Sequence, residues 1–243
     1  MTTGSIELAS ARVSARYGRR VDVVQWHRIE APRTLAGVLD AVRTTPLDGW
    51  VSGLAPSSDA HAIDRRMRAG WREVVHEVAR WMPERWQPAV TWWATLPDLP
   101  LAAALASGAE VPRWLRQDPH YRALLEPAHA RAHPLTALRA SGTDMGAAWL
   151  AEWNRRAPRD ASGWVDRLVA LVAEHLRTFR ALAPGDGTHA RRTLQPRVVM
   201  LMRHAPATPA AVLAYLVLAL GEGERLRGEL MRRAAFPAIA LAP

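Results

Sequence analysis

Through most of this chain, apolar residues recur every three or four positions, the period of a half-buried helix. Ile6, Ala9 and Val13 step this way between Ser5 and Tyr17. Val23, Val24, Trp26 and Ile29 do so from Asp22 to Glu30, and Leu35, Val38, Leu39 and Val42 follow Pro32. A short helical turn is expected over Leu47 to Leu54. Pro56-Ser57-Ser58-Asp59 is a strong helix start, with a capping side chain ahead of Ile63, Met67, Trp71, Val74, Val78 and Trp81. Pro83 ends that helix. Arg65, Arg66, Arg68 and Arg72 fall on its opposite flank and are expected to be solvated.

Between residues 83 and 135 the rhythm breaks. Pro83, Pro88, Pro97, Pro100, Pro112, Pro119, Pro127 and Pro134 allow only short helices. Candidates are Glu84 to Leu96, Leu101 to Ser107, Pro119 to Leu125 and Pro134 to Ala140. This is the expected joint between lobes, with Trp81, Trp86, Trp92 and Trp93 packing it. Long patterns then resume. Thr143-Asp144 caps a helix carrying Met145, Ala148, Trp149 and Trp153, and Asp160 to Leu182 carries Trp164, Leu168, Leu171, Val172, Leu176 and Phe179. Pro184 to Gly187 is a turn signal. His189 to His204 is expected to bend or break at Pro196.

The last segment organises the rest. Thr208 and Pro209 mark a helix start. Val212, Leu213, Leu216, Val217 and Leu220 are too dense for a surface helix, so this half belongs inside the protein. Beyond it only Leu226 and Leu230 keep an apolar stripe, while Glu222, Glu224, Arg225, Arg227 and Glu229 take the other faces. Pairs three or four apart, Glu222 with Arg225 and Arg225 with Glu229, are expected on its surface. The apolar run Ala210 to Leu220 is too short to cross a bilayer. No stretch alternates long enough for a strand, so the predicted fold is all-α and multi-helical.

Composition adds limits. At 243 residues and 49% apolar, the chain can bury a sizeable core. Eleven Trp against two Phe and three Tyr leave large aromatic packing to Trp. Cysteine is absent, which excludes disulfides and thiolate metal sites. All 32 basic residues are Arg, and the net charge of +9 favours acidic partners. The first twenty residues lack a signal-peptide core, so a cytoplasmic location is expected.

Catalytic signatures are missing. Without Lys there is no phosphate loop, and acidic neighbours make Gly221-Glu222-Gly223 a poor phosphate cradle. Those glycines are expected to permit a bend or close packing. His76-Glu77 opens like a zinc-protease helix, but Arg80 stands where the second ligand belongs. His129 and His133 have helical ligand spacing but no third ligand nearby, so exposed loop histidines are expected. Neither a metal nor a cofactor nor a catalytic residue is assigned. Arg doublets at residues 19–20, 155–156, 191–192 and 232–233 raise nucleic-acid binding, but they are dispersed and suit helix C-termini.

Three segments resemble the C-subunit family of V/A-type rotary ATPases, whose vacuolar members are the d or AC39-like subunits. Tyr215 followed by Glu222-Gly-Glu-Arg-Leu-Arg-Gly-Glu-Leu is similar to that family's last long helix. Ala11-Arg12-Val13-Ser14-Ala15-Arg16 resembles its opening helix, and Ser58 to Asp64 resembles its internal helix starts. The chain is shorter than family members, and Arg232-Arg233 replaces the usual Gly-Lys. The resemblance implies two or three helical lobes forming a funnel-like socket, spanning residues 1–243. It implies a non-catalytic adapter at the inner face of the cell membrane, coupling the soluble rotor shaft to the membrane rotor ring. Glu222, Glu224, Arg225, Arg227 and Glu229 are then the candidate interface. A free-standing helical scaffold is the alternative reading, and a nucleic-acid binder the third.

Overall fold

A computed structural model of the chain describes residues 4–111, 113–125, 134–139, 144–159, 163–181 and 187–236. These residues are helical and contain no strand. The long helices are α1 (Ile6–Gly18), α2 (Val23–Glu30), α3 (Leu35–Arg43) and α4 (Ala60–Trp81), then α10 (Met145–Arg156), α11 (Gly163–Ala181), α12 (Gly187–His204) and α13 (Pro209–Ala235). Between α4 and α10 lie the short helices α5 (Gln87–Trp92), α6 (Leu99–Ala106), α7 (Arg113–Gln117), α8 (Pro119–Leu125) and α9 (Pro134–Arg139). Three 3₁₀ turns, Asp48–Val51, Glu84–Trp86 and Trp93–Asp98, complete the described path.

Local chemistry sets most starts. Ser5, Asp22, Thr34, Asp59 and Asp144 each accept a backbone N–H of the first turn. Gln25 returns the bond to the Asp22 backbone, completing a capping box. Several expectations need correction. Helix α3 begins after Thr34 rather than at Pro32, because the Thr34 hydroxyl supplies the cap. Thr208 does not cap α13, because its hydroxyl donates instead to the Ala205 carbonyl. Helix α12 runs unbroken through Pro196. The expected Glu84–Leu96 helix divides into 3₁₀, α and 3₁₀ pieces around Pro88 and Pro97. His129 and His133 lie outside the described residues.

Helix α13 is the centre of the packing. Its first half is buried at nearly every position from Pro209 to Leu216, and α1, α3, α4, α11 and α12 all pack on it. The buried apolar residues join in one core from Ala9 to Leu230. The proline-rich stretch expected to be a joint is itself packed into that core. Trp86, Trp92 and Trp93 are buried. The Trp71 indole donates to the Trp93 carbonyl at 2.9 Å, and Trp92 to the Trp149 carbonyl at 3.1 Å. Trp149 in turn donates to the Thr95 hydroxyl at 2.9 Å. Each of these three indoles packs its apolar body while its N–H finds an acceptor. The fourth tryptophan of the expected set, Trp81, is half-buried beneath the guanidinium groups of Arg12 and Arg16.

Candidate functional site

The three segments singled out in the sequence come together. Helices α1 and α4 both pack against α13, and the contacts include specific polar pairs. The buried Ser10 hydroxyl accepts the Ala207 N–H at 3.1 Å, tying α1 to the turn that leads into α13. Arg16 donates to Glu77 of α4 at 2.6 Å and interacts with the Tyr215 hydroxyl. Arg20 donates to Glu222 at 2.9 Å and lies over the Tyr17 ring at 4.7 Å. Arg16, Arg20, Glu77, Tyr215 and Glu222 line a cavity of about 340 Å³ together with Trp50.

Burial dominates the electrostatics of that cavity. It raises the Tyr215 phenol above its ordinary value, with Arg16 opposing the shift. It also raises the Glu222 carboxyl, and the Arg20 guanidinium only partly offsets this. Tyr215 and Glu222 are therefore largely covered polar groups, each held by an arginine of α1 or its C-terminal turn.

A second network runs along the far flank of α4. Asp64 accepts from Arg227 at 2.7 Å and from Arg68 at 2.8 Å. Arg68 reaches onward to Asp98 at 2.6 Å, and the Tyr121 hydroxyl donates to the same carboxylate at 2.5 Å. Burial works against the Arg68 charge, but Tyr121, Asp98 and Asp64 outweigh it and hold the guanidinium charged. Arg68 is thus a covered structural cation, not part of a solvated face. Arg66 is mostly covered too and pairs with Glu73 at 2.7 Å.

The five expected interface residues of α13 already have partners within the chain. Glu222 pairs with Arg20, and Glu224 lies 3.5 Å from Arg227. Arg225 bonds Glu30 of α2 at 2.5 Å and covers the Trp26 ring at 4.1 Å. Glu229 pairs with Arg232 at 2.9 Å and also with Arg233. The buried Arg233 donates to the Glu30 carbonyl at 2.6 Å and the Pro32 carbonyl at 3.0 Å, beyond the end of α2. The expected salt bridges Glu222–Arg225 and Arg225–Glu229 do not form. The reason is tertiary: α13 meets charged neighbours on α1, α2 and α4, and these take the bonds that a lone helix would make along itself.

That placement changes what the two arginines do. Arg227→Ala breaks a half-buried bridge to Asp64 and is expected to cost about 1–2 kcal/mol. Arg225→Ala removes a more exposed pair and is expected to cost under about 1 kcal/mol. Urea denaturation of the two variants checks the order; equal losses would contradict it.

Glu229 gives a pH signature. Burial alone would push its carboxyl up, but hydrogen bonds from Arg232 and Arg233 prevail and hold it below its ordinary value of 4.5. A depressed folded value contributes stability that is present above pH 4.5 and lost as pH falls through the folded value. Glu229→Gln is therefore expected to be less stable than the parent at pH 7. The difference should shrink as pH falls from 4.5 through the lower folded value. Urea midpoints measured across that range test it, and a gap independent of pH would refute it.

Glu30, Asp98 and Tyr121 escaped the sequence reading, while Arg20 and Glu77 entered it only through a basic doublet and a discarded zinc motif. One weak signal was available: Arg16 and Arg20 are four apart at the end of α1, and Glu73 and Glu77 four apart on α4. Such facing stripes of opposite sign can mark paired helices. Nothing local singles out Asp98, which follows a proline in an irregular stretch. Among the described residues no group of three or more His, Asp or Glu could hold a metal ion. No helix there is long and apolar enough to cross a membrane. Of the expected close packing at the glycines, Gly223 lies directly against the Trp50 ring, while Gly221 has open space. No protein-family model, curated protein or solved structure matches the chain.

Proposed function

We propose that this chain is a non-catalytic coupling component of a V/A-type rotary ATPase, joining the soluble rotor shaft to the membrane rotor ring. The observation that supports this reading is the convergence of the three resembling segments. Positions near residues 11–16, 58–64 and 215–230 are far apart in sequence, yet they meet along α13. Arg16 engages Tyr215, and Asp64 bonds Arg227 at 2.7 Å. The three segments thus share one seam of the fold, where α1 and α4 lie against α13. In this reading the helices form a funnel-like socket that sits peripherally on the inner face of the membrane through the ring. Arg225 is its most exposed candidate contact, with 45% of its side chain open to solvent.

The nucleic-acid reading loses ground on the same geometry. Arg20, Arg155, Arg156, Arg232 and Arg233 all pair with carboxylates of this chain. Those five guanidinium groups are therefore partly neutralised within the chain, which counts against a phosphate-binding role for them.

Biolayer interferometry with purified shaft and ring proteins encoded in the same genome tests the proposal. Saturable binding to at least one is expected, with no ATP hydrolysis by the chain alone. Arg225→Ala is expected to weaken the binding about tenfold or more, through loss of a charge desolvated in the contact. Binding to neither protein would overturn the assignment and leave a free-standing helical scaffold. Unchanged binding by Arg225→Ala would remove that residue from the interface.

A further inference from the structure

Another cavity lies away from the α13 seam, between α4, α5, the Trp93–Asp98 turn, α8, α9 and α10. Its volume is about 550 Å³, within the range of small-molecule sites. Four cationic or protonatable side chains line it, one of them His120 of α8. Arg72 and His76 are one turn apart on α4, and Arg156 comes from α10. Arg156 is held over the Trp92 ring at 4.2 Å and paired with Glu152.

Arg72 is the informative member. Its Nη1 is buried and has no hydrogen-bond acceptor, and no carboxylate pairs with it among the described residues. A buried guanidinium N–H without an acceptor carries an uncompensated desolvation cost. The acids nearby do not relieve it. Asp98 is engaged by Arg68 and Tyr121, and Glu84 is exposed. The local field is positive: burial first, then Arg72 and Arg80, hold His76 below its ordinary value.

We propose that this cavity is an anion site, taking a small ligand that carries phosphate or carboxylate oxygens, with Arg72 as the anchor and His76 and Arg156 flanking it. An oxyanion in the cavity gives the Arg72 guanidinium, which has no carboxylate partner among the described residues, charge-assisted hydrogen bonds. It also offsets the unneutralised positive charge on this flank of α4. Thr91 at the wall can donate a further bond. Neither the rotary-ATPase reading nor its failure bears on this site, which uses none of the α13 residues.

Isothermal titration of the full chain with pyrophosphate and with citrate, at constant ionic strength balanced by chloride, tests it. Saturable binding of at least one is expected. Pyrophosphate alone would identify a phosphate ligand, and citrate alone a carboxylate ligand. Arg72→Gln is expected to weaken binding at least about tenfold. It should leave the melting temperature of the unliganded protein nearly unchanged, because the arginine it removes is unpaired. Should Arg72→Gln fail to fold, His76→Gln and Arg156→Gln take its place. Exposed Arg177→Gln serves as the control and should bind like the parent.

A second readout is the His76 imidazole, identified in nuclear magnetic resonance spectra by its loss in His76→Gln. Arg72 and Arg80 face it from α4, and Glu84, Gln87, Asp98, His120 and Arg156 share the cavity from the packed elements. A bound anion favours the imidazolium, so saturation should move its titration to higher pH. Absence of saturable heat with both probes would overturn the proposal. So would unchanged affinity in both Arg72→Gln and Arg156→Gln, an equal loss in the Arg177→Gln control, or a His76 titration indifferent to ligand.

Discussion

Asp98→Ala is expected to destabilise the protein by about 3–5 kcal/mol, the range for removing one partner of a buried ion pair. Asp98 is 2% exposed and accepts two short bonds, from Arg68 at 2.6 Å and from Tyr121 at 2.5 Å. Alanine leaves a covered guanidinium short of one carboxylate and a buried phenol short of its acceptor. Asp64 still holds the Arg68 Nε, which places the loss at the lower end of the range. Asp98→Asn keeps an acceptor for Tyr121 and should lose less than Asp98→Ala. Pairing the alanine with Arg68→Met removes the stranded charge and should recover part of the loss, since apolar replacements of buried pairs are often tolerated. Guanidinium denaturation of the single and double variants decides the matter. A loss below about 1 kcal/mol for Asp98→Ala would mean that Arg68 relaxes onto Asp64 alone, so that Asp98 is not a structural anchor.

Gly223→Val should cost about 1–3 kcal/mol, while Gly221→Ala, a little over half a turn away, should stabilise by up to about 1 kcal/mol. A Cβ on residue 223 would lie 2.6 Å from Trp50 Cζ3 and 2.7 Å from Cη2, inside van der Waals contact. Trp50 sits in the Asp48–Val51 turn with 9% exposure, so its ring must leave its present packing against α13 to admit the added side chain. At residue 221 an added Cβ meets nothing within 4 Å, and only the helix preference for alanine remains. The two substitutions therefore move in opposite directions on one helix. Thermal melts of both variants are the check. A stabilised Gly223→Val would mean that Trp50 is not packed against α13.

The proline-rich stretch and the charged end of α13 show how far local pattern reaches. Pro83, Pro88 and Pro97 correctly implied short helical pieces, because proline removes a donor wherever it stands. They also invited the reading of a joint packed by tryptophans, and Trp86, Trp92 and Trp93 are buried in the common core. A breaker specifies where a helix stops, not whether the chain around it is buried. Similarly, Pro196 permits a break that α12 does not take.

What the sequence determined alone was decided within a few residues. The period of apolar positions made the described chain all-α. Ser5, Asp22, Asp59 and Asp144 set helix starts because a side chain three residues away is enough to bond the free N–H groups. The density of Val212, Leu213 and Leu216 put the first half of α13 inside, because every face of it is apolar. What only the tertiary structure decided was which charges of α13 bond outside their own helix. Arg225 could bond Glu222 or Glu229 along its own helix, yet it bonds Glu30, which is 195 residues distant. Arg227 likewise takes Asp64, and Arg20 takes Glu222. A charge three positions away is available in any helix, but burial against α1, α2 and α4 removes water and rewards the neighbour that is held in place. That choice depends on which helices pack together, and no local spacing records it.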